Sequence, residues 1–273
     1  MSEAAEQFAA IVRLSGDRIP LAEAALWIAK EEYPDLDVEA YVDRLDDLAD
    51  QAHRRIAPFS AGEMLVRFNH FVFREIGFCG NRERYDDPRN SFLNDVLDRR
   101  LGIPITLSLV YTEIGRRIGL PVVGIGFPGH FLVKWFGETE VLVDPFFGKV
   151  LSPAECLERL RASHGPEAHL ERRMLDPAQP REILVRMLRN LKHNYLAADD
   201  LPRALRCLDR ILVVVPDHAG ELRDRGLLYR RLDCFAAAVR DFERYLEIAP
   251  SDAAAVEIRS FLPDLRRQAQ RLH

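Results

Sequence analysis

Apolar residues recur at helical spacing through the first hundred positions, with polar and acidic residues between them. Helices are predicted from this period over residues 4–14, 21–31, about 38–53, 61–75 and about 88–100. Asp37, Ser60 and Asp87 occupy N-cap positions, and Ser60 with Glu63 has the capping-box spacing. Gly102 is expected to end the last of these helices. Acidic outer faces and apolar inner faces indicate a helical wrapper around the part of the chain that follows.

The pattern changes after Gly102. A predicted helix over residues 104–118 is apolar on most of its sides, so we expect it to be buried. The period then shortens to that of strands, which short turns separate. Strands are predicted over residues 121–127, 130–136 and 140–144. Another helix follows over residues 154–161, and residues 163–181 have the proline-rich, charged composition of a linker.

The last ninety residues contain an internal repeat with a period of 34 residues. Five positions recur at this offset, namely Leu188, Tyr195, Ala204, Leu208 and Pro216, which correspond to Leu222, Tyr229, Ala238, Phe242 and Pro250. The period and the closing proline are typical of the tetratricopeptide repeat. Gly226 occupies the close-packing position of the second unit, where the first unit has Lys192. Residues 253–272 are predicted to form a capping helix that Pro263 kinks or divides.

Composition narrows the class of protein. A chain of 273 residues with 48% hydrophobic and 30% charged residues is typical of a globular protein with more than one domain. The net charge of -5 argues against sequence-independent binding of nucleic acid. No apolar run reaches the roughly 18 residues that a membrane span needs, so no membrane contact is expected.

The cysteines and the first residues of the chain bear on the compartment. The four cysteines form no closely spaced pair, and the first twenty residues have no signal-peptide pattern. We therefore expect free thiols in the cytoplasm. His164 and His169 have no further metal-ligand candidates nearby in the sequence and are predicted to be surface residues. No metal or cofactor site is predicted.

Two polar residues at strand ends carry the candidate chemistry. His130 opens the second predicted strand and Asp144 closes the third, so antiparallel pairing could bring their side chains together. An imidazole oriented by a carboxylate can serve as the general base in acyl transfer. A buried histidine–aspartate hydrogen bond that only holds the sheet together fits the same spacing equally well.

Two further residues are candidates for the nucleophile. Thr106 lies in the first turn of the helix that begins at Pro104, where the helix dipole stabilises negative charge. Hydroxyl groups in that position more commonly bond to the helix backbone. Cys79 lies in a predicted glycine-containing loop, with no base beside it in the sequence.

Three motifs carry a resemblance to a known family. They are YDDPRNSFLNDVLDRRLGIPITLSLVYTEIGRRIGLP from Tyr85, GFPGHF from Gly126 and LVDPFFG from Leu142. Residues 60–160 resemble the transglutaminase-like core, and the whole chain is similar to the SirB-type bacterial family. The resemblance implies an α+β fold in which a helical part and a central helix pack on a small antiparallel sheet, followed by all-α tetratricopeptide repeats. It implies domains at residues 1–162 and 182–273, joined by the linker 163–181.

The resemblance also assigns roles to the candidate residues. His130 and Asp144 fall on the catalytic histidine and aspartate of the transglutaminase pattern. Pro104 falls on the nucleophilic cysteine, and Thr106 is the nearest hydroxyl, so these three polar residues would be the remains of a site. A non-catalytic scaffold or regulatory protein is expected, with a protein or peptide partner bound through the repeats.

Two alternatives to the scaffold stay open. One is a hydrolase or acyltransferase that uses His130 and Asp144 with Thr106 or a relocated Cys79. The other is a small-molecule pocket between the helical wrapper and the sheet.

Overall fold

The structure is a computed structural model that describes residues 2–16, 18–56, 61–137 and 139–271. The described residues form twelve α-helices and six short strands, which confirms the predicted α+β class. The chain divides into two compact units, Met1–Met187 and Leu188–His273. The predicted domain boundaries remain a prediction.

Helices make up most of the first unit. They are α1 (Glu3–Leu14), α2 (Leu21–Lys30), α3 (Val38–Ile56), α4 (Ala61–His70), α5 (Leu93–Arg99), α6 (Pro104–Arg117), α7 (Pro153–His164) and the first part of α8 (Pro180–Ala197). The Oγ atom of Ser2 caps α1 by accepting from the amide of Ala5 at 3.3 Å. Ser60, the predicted N-cap of α4, lies outside the described residues. Within the described part of the chain, every helix is too short or too polar to cross a membrane.

Two helix ends differ from the prediction. After α4 the chain continues as a π-helix over Phe71–Ile76 and ends at Gly77, which has a left-handed φ of 86°. Asp87 caps a short 3-10 turn, Pro88–Asn90, instead of one long helix. Arg100 ends α5 with a φ of 59°, so the prediction that Gly102 stops this helix was wrong.

Gly102 belongs instead to a small parallel pairing. Strand β1 (Cys79–Gly80) pairs with β2 (Leu101–Gly102) in a region that was predicted to be a loop. A Cβ atom on Gly80 would lie 2.5 Å from the ring of Phe146. Glycine is therefore required at position 80 for the close approach of β1 to the segment that carries Phe146.

The main sheet is antiparallel. It contains β3 (Val122–Ile125), β4 (Leu132–Phe136), β5 (Glu140–Asp144) and β6 (Lys149–Leu151), paired in that order. Helix α6 packs on β3 and β4. Strand β6 was not predicted, and β4 begins at Leu132, so His130 lies in the turn before it and not within the strand.

A second apolar layer covers another part of the sheet. Its buried residues are Ile125, Phe127, Leu132, Leu151, Cys156 and Leu160. Partly buried residues of the segment 163–181 pack against this cluster, among them Leu170 and Met174. Pro177 forms a bridge with Ile125, so this segment lies against the sheet. His164 and His169 are exposed, as predicted.

The second unit contains the remainder of α8 and four further helices. They are α9 (Leu201–Val214), α10 (Ala219–Arg231), α11 (Phe235–Ile248) and α12 (Ala253–Arg271). Gly226 lies against the ring of Phe242, the contact that the repeat pattern predicts. Pro263 lies inside one continuous helix, so it does not divide α12, and the alternative of a kink stays a prediction. Pro263 and Arg259 are both exposed, and water can satisfy the carbonyl group that loses its helical partner.

Candidate functional site

His130 and Asp144 lie side by side, as the strand pairing predicted. The Nε2 atom of His130 lies 3.0 Å from Oδ2 of Asp144. The side chain of Asp144 is fully buried, while that of His130 is 13% exposed. Antiparallel pairing of β4 with β5 brings the turn that precedes β4 next to the last residue of β5. The geometry is that of an imidazole oriented by a carboxylate.

Asp144 also holds groups other than the imidazole. Its Oδ2 atom lies 2.7 Å from a guanidinium nitrogen of Arg159 on α7. Its Oδ1 atom accepts from the backbone amides of Phe146 at 3.0 Å and Phe147 at 3.3 Å. Most of the contacts of this carboxylate therefore fix α7 and the turn after β5.

The turn that carries His130 is held by an arginine. Arg186 on α8 donates to the carbonyl of His130 at 2.7 Å and to that of Phe127 at 3.3 Å. Burial lowers the pKa of Arg186. The ring of His130 lies 6.2 Å from the rings of Phe146 and Phe147. Backbone bonds and aromatic contacts thus restrict the orientation of the imidazole.

The hydroxyl of Thr106 is hydrogen-bonded to backbone groups. Its hydroxyl lies 2.7 Å from the carbonyl of Asn90 and 3.1 Å from that of Ile103, and it accepts from the amide of Ile103 at 3.2 Å. A hydroxyl has one hydrogen, and the shorter distance favours donation to Asn90. Thr106 is fully buried. No hydrogen bond joins the described side chains of Thr106 and His130, so the structure does not bring these two site candidates together.

Asn90 explains why the hydroxyl is needed in this place. Its side-chain amide donates to the carbonyls of Arg84 at 2.6 Å and Tyr85 at 3.1 Å. Its Oδ1 atom accepts from Asn81 at 3.0 Å. Asn90 is fully buried, and its side-chain bonds hold the segment 81–90 together, while the Thr106 bond to its carbonyl joins this segment to the start of α6. The long motif from Tyr85 therefore contains a buried polar network that stabilises the fold.

Cys79 lies on β1. It is exposed and lines a cavity of about 510 Å³ together with Phe146 and Phe147. Its amide donates to the carbonyl of Arg100 at 3.0 Å. Both Cys79 and His130 are described, and no hydrogen bond connects them. Among the described residues, a hydrogen bond therefore joins His130 to Asp144, and none joins Thr106 or Cys79 to His130.

Sequence reasoning missed two arginines at this site. Arg159 lies on α7, which was predicted only as a helix over residues 154–161, and Arg186 lies at the start of the predicted repeat region. Neither residue is close in the sequence to the group that it contacts. One feature of the sequence could have indicated that α7 lies near the site. The connection between β6 and α7 is short, so α7 must pack back on the sheet. Among the described residues, no group of three or more His, Cys, Asp or Glu side chains is arranged to hold a metal ion.

The second unit contains a groove of its own. It has a volume of about 570 Å³, and its apolar lining includes Leu196 and Leu227, each 39% exposed. Lys192, which replaces the expected glycine, binds Glu221 at 2.6 Å and Asp224 at 3.0 Å. An ion pair thus occupies the position where the second repeat has a close helix contact.

The comparisons with known proteins agree with both units. Residues 39–189 match the transglutaminase-like superfamily, and residues 191–263 match the tetratricopeptide repeat. A UPF0162 protein of Xylella fastidiosa strain Temecula1 is 40% identical and covers 96% of each chain. A UPF0162 protein of Pseudomonas aeruginosa is 35% identical over 90% of each chain. The protein SirB1 of Salmonella typhimurium is 27% identical over 93% of this chain and 96% of its own length.

These matches confirm the resemblance that the motifs predicted. Tetratricopeptide repeats generally mediate protein–protein interaction, because stacked helix pairs form extended binding surfaces. The chain belongs to the UPF0162 family of SirB type, in which a transglutaminase-like domain precedes tetratricopeptide repeats.

Proposed function

We propose that this chain is a non-catalytic transglutaminase-like protein that acts in the cytoplasm as a protein-interaction or regulatory scaffold. The observation that carries the proposal is the burial and hydrogen bonding of the Thr106 hydroxyl. It is buried and bound to Asn90 and Ile103, and Pro104 occupies the position of the missing cysteine. Acyl transfer needs an activated nucleophile within reach of the base.

The remaining members of the site serve the fold in this proposal. Asp144 holds Arg159 and two backbone amides, and His130 completes the set of groups around the carboxylate. The four cysteines are free thiols, which supports a reducing compartment such as the cytoplasm.

A hydrolase or acyltransferase is the second candidate. The observation in its favour is the 3.0 Å contact between His130 and Asp144, because it leaves Nδ1 of the imidazole without a hydrogen-bond partner in the described part of the chain. Thr106 or a relocated Cys79 would be the nucleophile in that case.

Acylating probes separate the two candidates. The protein is incubated at neutral pH with a thiol-directed and a hydroxyl-directed acyl probe, and the labelled residue is identified by mass spectrometry. The scaffold proposal predicts that His130→Ala leaves labelling of Cys79 and Thr106 unchanged. Labelling that disappears in His130→Ala, while His164→Ala retains it, would establish the hydrolase.

The repeat groove is the proposed binding surface. Leu196 and Leu227 expose apolar area there. Lys192 and Arg231 also line the groove but are paired with carboxylates, whereas Arg230 has no ion pair among the described residues. An exposed apolar floor beside this arginine suits a peptide that carries an apolar residue and a carboxylate.

Site-specific crosslinking tests this surface. A photo-crosslinking residue is placed at position 227 or, as the control, at position 256, where Val256 on α12 is 72% exposed. The proposal predicts host-protein adducts at 227 that Leu196→Glu abolishes, and none of these adducts at 256. Equal adducts at both positions would contradict a role for the groove.

A further inference from the structure

A cavity in the transglutaminase-like unit lies outside the proposed peptide groove. Its volume is about 510 Å³, within the range of pockets that hold small molecules. Aromatic rings form much of its lining, from Phe73, Phe78, Phe146 and Phe147. The rings of Phe146 and Phe147 lie 5.0 Å apart, edge to face. The cavity therefore presents an apolar surface suited to a ring.

The cavity also carries uncompensated positive charge. Arg74 and Arg82 are exposed and line it, and neither has a carboxylate within ion-pair distance in the described part of the chain. The guanidinium of Arg82 lies 4.6 Å from the centre of the Phe147 ring. Glu83 is the one acidic residue of the lining, so the charge of the lining is positive. Arg55, by contrast, is paired with Glu75.

The network around Asp144 supports the same cavity. Asp144 accepts from the amides of Phe146 and Phe147 and so fixes the turn that carries both rings. Arg159 binds Asp144 at 2.7 Å and also lies 4.5 Å from the Phe147 ring, so this ring contacts two guanidinium groups. An aromatic wall held in this way needs little reorganisation when a ligand binds.

We propose that this cavity binds a small organic anion with a ring and a carboxylate. The ring would contact Phe146 and Phe147, and the carboxylate would pair with Arg74 or Arg82, whose planar guanidinium groups suit carboxylate geometry. The site makes no use of Thr106 or of the repeat groove, and it gives the His130–Asp144–Arg159 network a purpose as the support of a binding wall.

Cys79 provides a reporter, because its thiol lies on the wall of this cavity. In a Cys234→Ser background it is the exposed cysteine, since Cys156 and Cys207 are buried. Its rate of modification is measured with an anionic aromatic disulfide, 5,5′-dithiobis(2-nitrobenzoate), and with a neutral one, 4,4′-dithiodipyridine. Each rate is divided by the rate at which the same reagent modifies 2-mercaptoethanol. The ratio of the two corrected rates isolates attraction of the anion, because any change in thiolate fraction affects both reagents.

The proposal predicts that the anionic reagent is preferred in the parent protein. Arg74→Met and Arg82→Met should each lower the ratio about fivefold, the size expected for one exposed charge pair. Arg82→Lys should retain most of the preference, and Arg54→Met, an exposed arginine on α3 outside the cavity, should leave it unchanged. In addition, 2-naphthoate should protect Cys79 from the neutral reagent in the parent protein, whereas the uncharged 2-naphthol should protect it less. The proposal is overturned if Arg74→Met and Arg82→Met leave the ratio unchanged, or if 2-naphthoate and 2-naphthol protect Cys79 equally.

Discussion

The hydroxyl of Thr106 donates to the backbone carbonyl of Asn90 at 2.7 Å, across sixteen residues of sequence. This bond joins the first turn of α6 to the segment before α5, and both residues are fully buried. The hydroxyl nearest to Pro104 in the sequence therefore takes part in joining two segments of the fold.

Replacement of Thr106 by valine should destabilise the fold. Valine has nearly the same shape but leaves the Asn90 carbonyl and the Ile103 amide without their partner, so we expect a loss of about 1–3 kcal/mol in the free energy of unfolding. Urea denaturation measures this loss. Thr106→Ser retains the hydroxyl and should cost less than Thr106→Val. Equal stability of the valine variant and the parent would contradict the structural role.

The ion pair between Arg159 and Asp144 should contribute to stability through a direct coupling. Arg159→Met removes the partner of a fully buried carboxylate, which typically costs about 3 kcal/mol. Asp144→Asn removes the charge but leaves an oxygen for the amides of Phe146 and Phe147. In that background Arg159→Met should cost at least about 1 kcal/mol less. A double-mutant cycle from urea unfolding gives the coupling, and a value near zero would show that Arg159 packs without pairing.

Much of the fold could be predicted because it depends on local pattern. The helices follow from apolar spacing, and the repeats follow from a 34-residue period. Strands β1 and β6 could not be predicted, because two or three residues are too few to show a period. The end of α5 was missed because Arg100 adopts a left-handed conformation that is uncommon for residues other than glycine.

The contacts of the candidate site also divide into those that the sequence could predict and those that it could not. The contact between His130 and Asp144 follows from strand order, which the motifs carry. The hydrogen bond of Thr106 and the ion pair of Arg159 depend on how distant segments meet, and a single sequence does not contain that information. His130 and Asp144 thus share one set of contacts with Arg159, and Thr106 belongs to a second set with Asn90 and Ile103.

Helix α7 should lose its N-terminal cap in acid. Glu155 binds Lys149 at 2.7 Å and the amide and hydroxyl of Ser152, and these bonds lower the pKa of its carboxyl group to about 2. Because the folded-state pKa lies below the ordinary value of 4.5, the stabilisation is complete above pH 4.5 and is lost as the pH falls towards 2.

Two measurements check the acid response of α7. An NMR titration of the Glu155 carboxyl group should give the low pKa. The protection factors of the amides in the first turn of α7, which correct for the intrinsic pH dependence of exchange, should fall between pH 4.5 and 2. In Glu155→Gln these protection factors should vary little over that interval. A titration midpoint at the ordinary value for glutamate would contradict the cap.

The second repeat should tolerate no side chain at position 226. A Cβ atom on Gly226 would lie 2.7 Å from the ring of Phe242, which is fully buried, so Gly226→Ala should destabilise the protein by about 1–3 kcal/mol. The loss should occur although alanine favours helices by about 1 kcal/mol over glycine. Gly220→Ala, in the same helix, is the matched control, because its Cβ atom would make an ordinary contact of 3.4 Å with His218 and should be close to neutral. Thermal unfolding of both variants provides the comparison. Equal unfolding temperatures of the two variants would mean that α10 and α11 move apart readily. Gly226 would then affect stability through helix propensity and not through close packing.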